Sequence, residues 1–136
     1  MGHPLPGPFM PHQFKHHYTS AEAAALLPQI RQWLNQLRQL HPRLANRDER
    51  LRQLLARGYE VGGPLANEWM RLITEIQAIF DEFKRRELLI KDLDRGLVDF
   101  PAFIGGREVF LCWEEGEDTV EFWHELNDGF AGRERL

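Results

Sequence analysis

The chain contains a single cysteine, Cys112, so no disulfide can form within it. That scarcity fits a reducing cytoplasm better than secretion. No apolar run approaches the roughly 20 residues needed to span a bilayer, so no membrane partner is expected. The first residues carry neither a basic n-region nor an apolar h-region and do not read as a secretory signal. Signatures of nucleotide and acyl chemistry are also missing. There is no Gly-x-Ser-x-Gly, P-loop or Gly-x-Gly-x-x-Gly, and the stretch Gly129 to Gly132 is too short to count as one. These absences assign no reaction and leave open whether the chain is an enzyme.

What is present suits a folded chain. Its 136 residues are 43% hydrophobic, and a chain of this size buries roughly two thirds of its unfolded surface. Residues 1–13 hold four of the eight prolines and read as a flexible arm. Residues 14–136 read as one domain. Histidines at 3, 12, 16 and 17 lack the fixed spacing of a structural metal site. The net charge of −4 is unevenly spread: seven arginines lie between Arg31 and Arg57, whereas Glu108 to Asp128 carries only acids. Such polarity steers a charged partner, pairs with another copy, or marks two solvated faces.

Thr19-x-x-Glu22 has the form of a capping box and opens a helix. Leu26, Leu27, Ile30, Trp33, Leu34, Leu37 and Leu40 then recur at the helical period. Pro28 is expected to kink this helix, and Pro42 to kink or break it again. Gly58 reads as its C-terminal stop. Gly62-Gly63-Pro64 makes a turn, and a second helix over about 65–88 carries the stripe Leu65, Trp69, Leu72, Ile73, Ile76, Ile79, Phe80 and Phe83. Beyond Arg86 the apolar period drops to two. Three strands are expected, at 97–100, 108–113 and 119–124, with Gly105-Gly106 as the first hairpin turn and a second turn at 115–118. The predicted fold is α+β: a long antiparallel helical hairpin, its first helix kinked, with a C-terminal three-stranded antiparallel β-meander. The helical stripes are wide for so small a sheet, so a homo-oligomer, most simply a two-fold dimer, is expected.

The candidate site lies on that sheet. A tight Gly105-Gly106 turn sets Phe103 opposite Glu108 and Asp99 opposite Cys112. The second turn allows two registers. One sets Glu108 opposite His124 and the other sets Val109 opposite His124; a one-residue slip exchanges the two faces. In the first, Glu108 and His124 form a cross-strand pair. Glu125 can add an oxygen, and Asp99 joins only through a strong bend or bulge. One imidazole with two or three carboxylates suits zinc, manganese or iron. In the second register His124 is a buried or stacking residue. Arg133, folded back by Gly129 and Gly132, can pair with a sheet carboxylate or bind a ligand anion, with Glu117 beside it. Cys112 reads as a small buried hydrophobe. The acids that share the sheet with its aromatics argue against nucleic acid. Three functions are consistent with this pattern: a metal- or small-ligand-binding protein, an interaction module working through its helices, and a metal-dependent hydrolase.

The chain also resembles a known family, the bacterial proteins catalogued as domain of unknown function 2203. The likeness spans Phe14 to about Leu136. It rests on Tyr18-Thr-Ser-Ala-Glu22-Ala-Ala-Ala-Leu-Leu-Pro28, Lys91-Asp-Leu-Asp-Arg-Gly-Leu-Val-Asp-Phe-Pro101, Gly106-Arg-Glu-Val-Phe-Leu-Cys-Trp113, Gly116-Glu117, Trp123-His124-Glu125 and Gly129-Phe-Ala-Gly-Arg133. The family has no established activity. The resemblance adds weight to Asp99, Glu108, Glu117, His124 and Arg133 as polar positions without giving them a reaction. Ala25 stands where an asparagine is common in the family, so no role for that asparagine carries over.

Overall fold

A computed structural model describes residues 12–136. Of the arm expected over 1–13, residues 1–11, His3 included, lie outside the described residues. The element order is two helices followed by a five-stranded antiparallel sheet, an α+β arrangement.

Helix α1 spans Ser20–Ala56. Thr19 caps it reciprocally: its hydroxyl accepts from the Glu22 N–H at 3.1 Å, and the Glu22 carboxylate accepts from the Thr19 N–H at 2.9 Å. The break expected at Pro42 does not divide α1, which runs through both Pro28 and Pro42. Both prolines lie on the exposed side, where the carbonyls they leave unpaired, those of Ala24 and Arg38, can turn to water. Helix α2, Pro64–Arg85, starts on Pro64, whose missing N–H would have had no partner there.

Strands β1 (Leu89–Asp92), β2 (Leu97–Ile104), β3 (Arg107–Glu114), β4 (Phe122–Glu125) and β5 (Glu134–Arg135) pair in chain order. The expected count of three misses β1 and β5. Each is too short to show an alternating pattern of its own, and both are defined by the neighbour they pair with. Gly105 and Gly106 have φ of +58° and +76°, the conformation of a tight two-residue hairpin.

The pleat divides β2 and β3. Val98, Phe100, Ala102, Val109, Leu111 and Trp113 face the helices and join Leu27, Ile30, Leu34 and Leu37 of α1 in the core. Asp99, Pro101, Phe110 and Cys112 face the other way, yet they are buried too. Their cover comes from the two ends of the chain. At the N-terminal end, Phe14 packs on Phe110 at 5.3 Å and the His17 ring stacks on Phe103 at 3.9 Å. At the C-terminal end, Arg133 lies over Phe122 at 3.9 Å. The basic first helix and the acidic C-terminal segment meet at two points. Arg38 pairs with Glu115, and Arg31 donates to the Glu117 carbonyl at 3.3 Å, so basic α1 lies against the acidic C-terminal segment.

A buried Asp, Cys and His share the outer face of the sheet

The register between β3 and β4 decides the site, and it matches neither expected one. His124 pairs with Phe110 and Cys112 with Phe122, an offset of two residues from the register that would have set Glu108 opposite His124. The cause is the connection. Residues 115–121 do not form a tight turn. Glu117 folds back locally, its N–H donating to the Glu114 carbonyl at 3.0 Å while its carboxylate accepts from the Glu114 N–H at 2.8 Å. The Trp113 indole donates to the Glu117 carbonyl at 3.0 Å. Residues 119–121, expected in the third strand, are spent on closing the core with Val120, and the strand starts only at Phe122.

An even offset preserves the face, so His124 still lies with Asp99 and Cys112. The shift also brings Asp99 one row closer, and no bulge is needed. His124 Nε2 lies 3.0 Å from Asp99 Oδ2, and its Nδ1 lies 2.7 Å from the Glu125 carbonyl. A carbonyl only accepts, so Nδ1 carries a proton, and the Nε2···Oδ2 line holds one more shared between the two side chains. Cys112 pairs directly with Asp99 across the strands. One donor atom from each of Asp99, Cys112 and His124 lies within 4.8 Å of the other two. The residues are 1%, 0% and 2% exposed.

Burial dominates the electrostatics. It raises the Asp99 carboxyl above the ordinary range, against the pull of His124 and Lys91. It also pushes the Cys112 thiol up to about 12, with Asp99 adding to the rise and Arg133 opposing it. Asp99 Oδ1 has no hydrogen-bond partner, an unusual state for a buried carboxylate oxygen. These features fit a metal ion. The donors are a thiol, an imidazole and a carboxyl; the imidazole's other nitrogen is fixed on a carbonyl, as for ligating histidines; and one carboxylate oxygen is unused.

The other candidate residues lie elsewhere. Glu108 pairs with Phe103 and anchors the N-terminal cover. Its oxygens accept from the Gln13 N–H at 2.9 Å and the Phe14 N–H at 3.1 Å, and His17 Nε2 lies 2.7 Å away. Glu87 accepts from the Lys15 and His16 N–H groups while its own backbone holds φ +57° at the end of α2. Glu125 Oε1 pairs with Arg107 at 2.6 Å. Arg133 and Glu117 are paired with each other at 2.7 Å. Cys112, expected as a small buried hydrophobe, is buried and stands beside Asp99 and His124; its pairing with Asp99 was already legible in the tight Gly105-Gly106 turn.

Acid is expected to release the N-terminal cover. Burial pushes the Glu108 pKa up, but hydrogen bonds from His17, Gln13 and Phe14 outweigh it and hold the carboxyl below its usual value. A lowered folded-state pKa stabilises the fold above the unfolded value, about 4.3, and that contribution is lost as pH falls through the folded one. The protection of the Gln13 and Phe14 amides from exchange, relative to an unfolded chain at the same pH, should therefore be lost below about pH 4, before the sheet unfolds. Glu108→Gln should show fast exchange there already at pH 7.

Residues 16–136 match the family model described as an uncharacterized conserved protein, DUF2203. The chain belongs to this family. Its description names no activity, and comparisons with curated proteins and with solved structures give no match. This DUF2203 member has no helix among its described residues long and apolar enough to cross a membrane.

Proposed function

We propose that this protein binds a divalent metal ion through Asp99, Cys112 and His124. The observation that carries the reading is the convergence of three different donor types within 4.8 Å of one another, all buried, with Asp99 Oδ1 unpartnered. Asp99 and His124 are the ligands already suggested by the residue pattern. Cys112 takes the place given there to Glu108 and Glu125, whose carboxylates are engaged with His17 and Arg107. A thiolate makes the set softer and favours zinc or iron over manganese. Three protein ligands leave a fourth position for water or a small ligand. Binding must displace two protons, one from the thiol and one from the His124–Asp99 line, so affinity falls with falling pH.

The test is metal analysis of untagged protein, followed by titration of zinc and cobalt into wild type, His124→Ala and Cys112→Ser. Wild type should melt at a higher temperature with zinc, and each substitution should weaken binding at least tenfold. A wild-type melting temperature indifferent to every metal tried would end this reading.

One observation favours a second reading, an interaction module working as a homo-oligomer. Every buried residue of α1 lies at or before Leu40; beyond it, α1 and α2 have only each other. Along α2, Trp69, Ile73 and Ile76 are half-buried, and Phe80 is 46% exposed. His41, Leu44, Ala45, Asp48, Trp69 and Ile73 line a groove of about 300 Å³ beside them. The spacing of four, three and four residues reads the same in both directions. An antiparallel second copy would therefore set Trp69 against Phe80 and Ile73 against Ile76. Light scattering should then give twice the 16.0 kDa chain mass, reverting to monomer in Ile73→Glu. A wild-type monomer at high micromolar concentration would refute it.

A further inference from the structure

We propose that Arg133 is the positioning residue of this metal site, its Nη1–H group donating to the Cys112 sulfur when that sulfur is bound to metal. The inference rests on the metal reading above. The guanidinium is held on three sides. The Phe122 and Phe130 rings lie 3.9 and 4.0 Å from its Cζ, and Nη2 pairs with Glu117 Oε2 at 2.7 Å. Glu117 is itself fixed, because its other carboxylate oxygen takes the Glu114 N–H. Phe122 is the cross-strand partner of Cys112, so a guanidinium stacked on that ring lies beside the cysteine on the outer face.

The remaining group of the guanidinium is decisive. Arg133 Nη1 is buried and has no hydrogen-bond partner. Guanidinium nitrogens donate and never accept, and a buried donor without an acceptor is rare. A thiol is a poor acceptor, whereas a metal-bound thiolate carries charge and takes a charge-assisted hydrogen bond. The planar fork suits this role. One edge is held on Glu117 while another N–H is directed at the sulfur, which a lysine ammonium cannot do with the same rigidity. The unpartnered donor is thus matched to the metal-bound state of the cysteine. The chain Glu117–Arg133–Cys112 mirrors the Glu125 carbonyl on His124 across the same site, and each orients one ligand from behind.

Cobalt spectroscopy on the full chain tests this. Cys112 is the only cysteine, so a thiolate-to-cobalt absorption band reports this site and no histidine elsewhere. Removing a donor to the sulfur raises the energy of its lone pairs. In Arg133→Met the band should therefore move to longer wavelength, and cobalt affinity should fall about 10- to 100-fold. Arg133→Lys should lie between Arg133→Met and wild type. Glu117→Gln, which loosens the guanidinium but keeps it, should shift the band in the same direction by less, and it serves if Arg133→Met does not fold. Band position and affinity unchanged from wild type in Arg133→Met, or in Glu117→Gln where Arg133→Met is unfolded, would overturn the role of Arg133 and leave the metal reading standing. No cobalt–thiolate band in wild type would overturn both.

Discussion

Asp99→Ala in metal-free protein is expected to lower the folding free energy by about 3–5 kcal/mol, the range for removing one partner of a buried pair. The substitution leaves His124, 2% exposed, without a partner at Nε2. Phe110, tilted against the imidazole at 5.6 Å, offers no hydrogen bond in its place. Such a loss is a large share of a typical domain's total of roughly 5–15 kcal/mol. It should appear in urea melts followed by tryptophan fluorescence. Replacing both partners with apolar groups, Asp99→Val with His124→Phe, is expected to recover most of the loss, because no polar atom is then stranded. The double variant should also be blind to metal. A cost below about 1 kcal/mol for Asp99→Ala, the size of an ordinary hydrogen bond, would show that the pair is not what holds this face closed.

Gly96→Ala should cost nearly as much by a purely steric route, about 3–4 kcal/mol from left-handed strain and overpacking together. Gly96 closes the β1–β2 turn at φ +67°. A Cβ there would lie 2.5 Å from Glu115 Cβ and 3.0 Å from Arg38 Nη2. Rotating the Glu115 side chain does not move its Cβ, and the Glu115 N–H to Gly96 carbonyl bond at 3.0 Å ties the two backbones together. Any relief must displace the Arg38–Glu115 pair and the Arg38 hydrogen bond to the Leu93 carbonyl at 3.1 Å. Gly58→Ala is the control. That glycine also has positive φ, at +80°, but an added Cβ meets nothing within 4 Å, so only the conformational penalty of about 1 kcal/mol applies. Equal losses at the two sites would show that the contact with Glu115 is not the cause.

The amino-acid sequence by itself determined the elements whose signals are local. The Thr19–Glu22 box starts α1, Pro64 starts α2, and Gly105-Gly106 turns β2 into β3. Because that turn is tight, the pairing of Asp99 with Cys112 followed from counting residues. The strands β1 and β5 were beyond such reasoning, since short segments become strands only through the neighbours they pair with. The site turned on a single register, and only the tertiary structure decided it. The length of the β3–β4 connection is set by Glu117 folding back onto Glu114 and Trp113, and by Val120 closing the core. Those contacts exist only once the sheet lies on α1. A side chain's face repeats every two residues, so one of the two registers left open by the sequence put His124 on the face of Asp99 and the other put it on the opposite face; the structure chose the first of these faces for His124. Its neighbour on that face depends on the offset along the strand, and long-range packing alone fixed that offset, bringing Asp99 to His124 in place of Glu108.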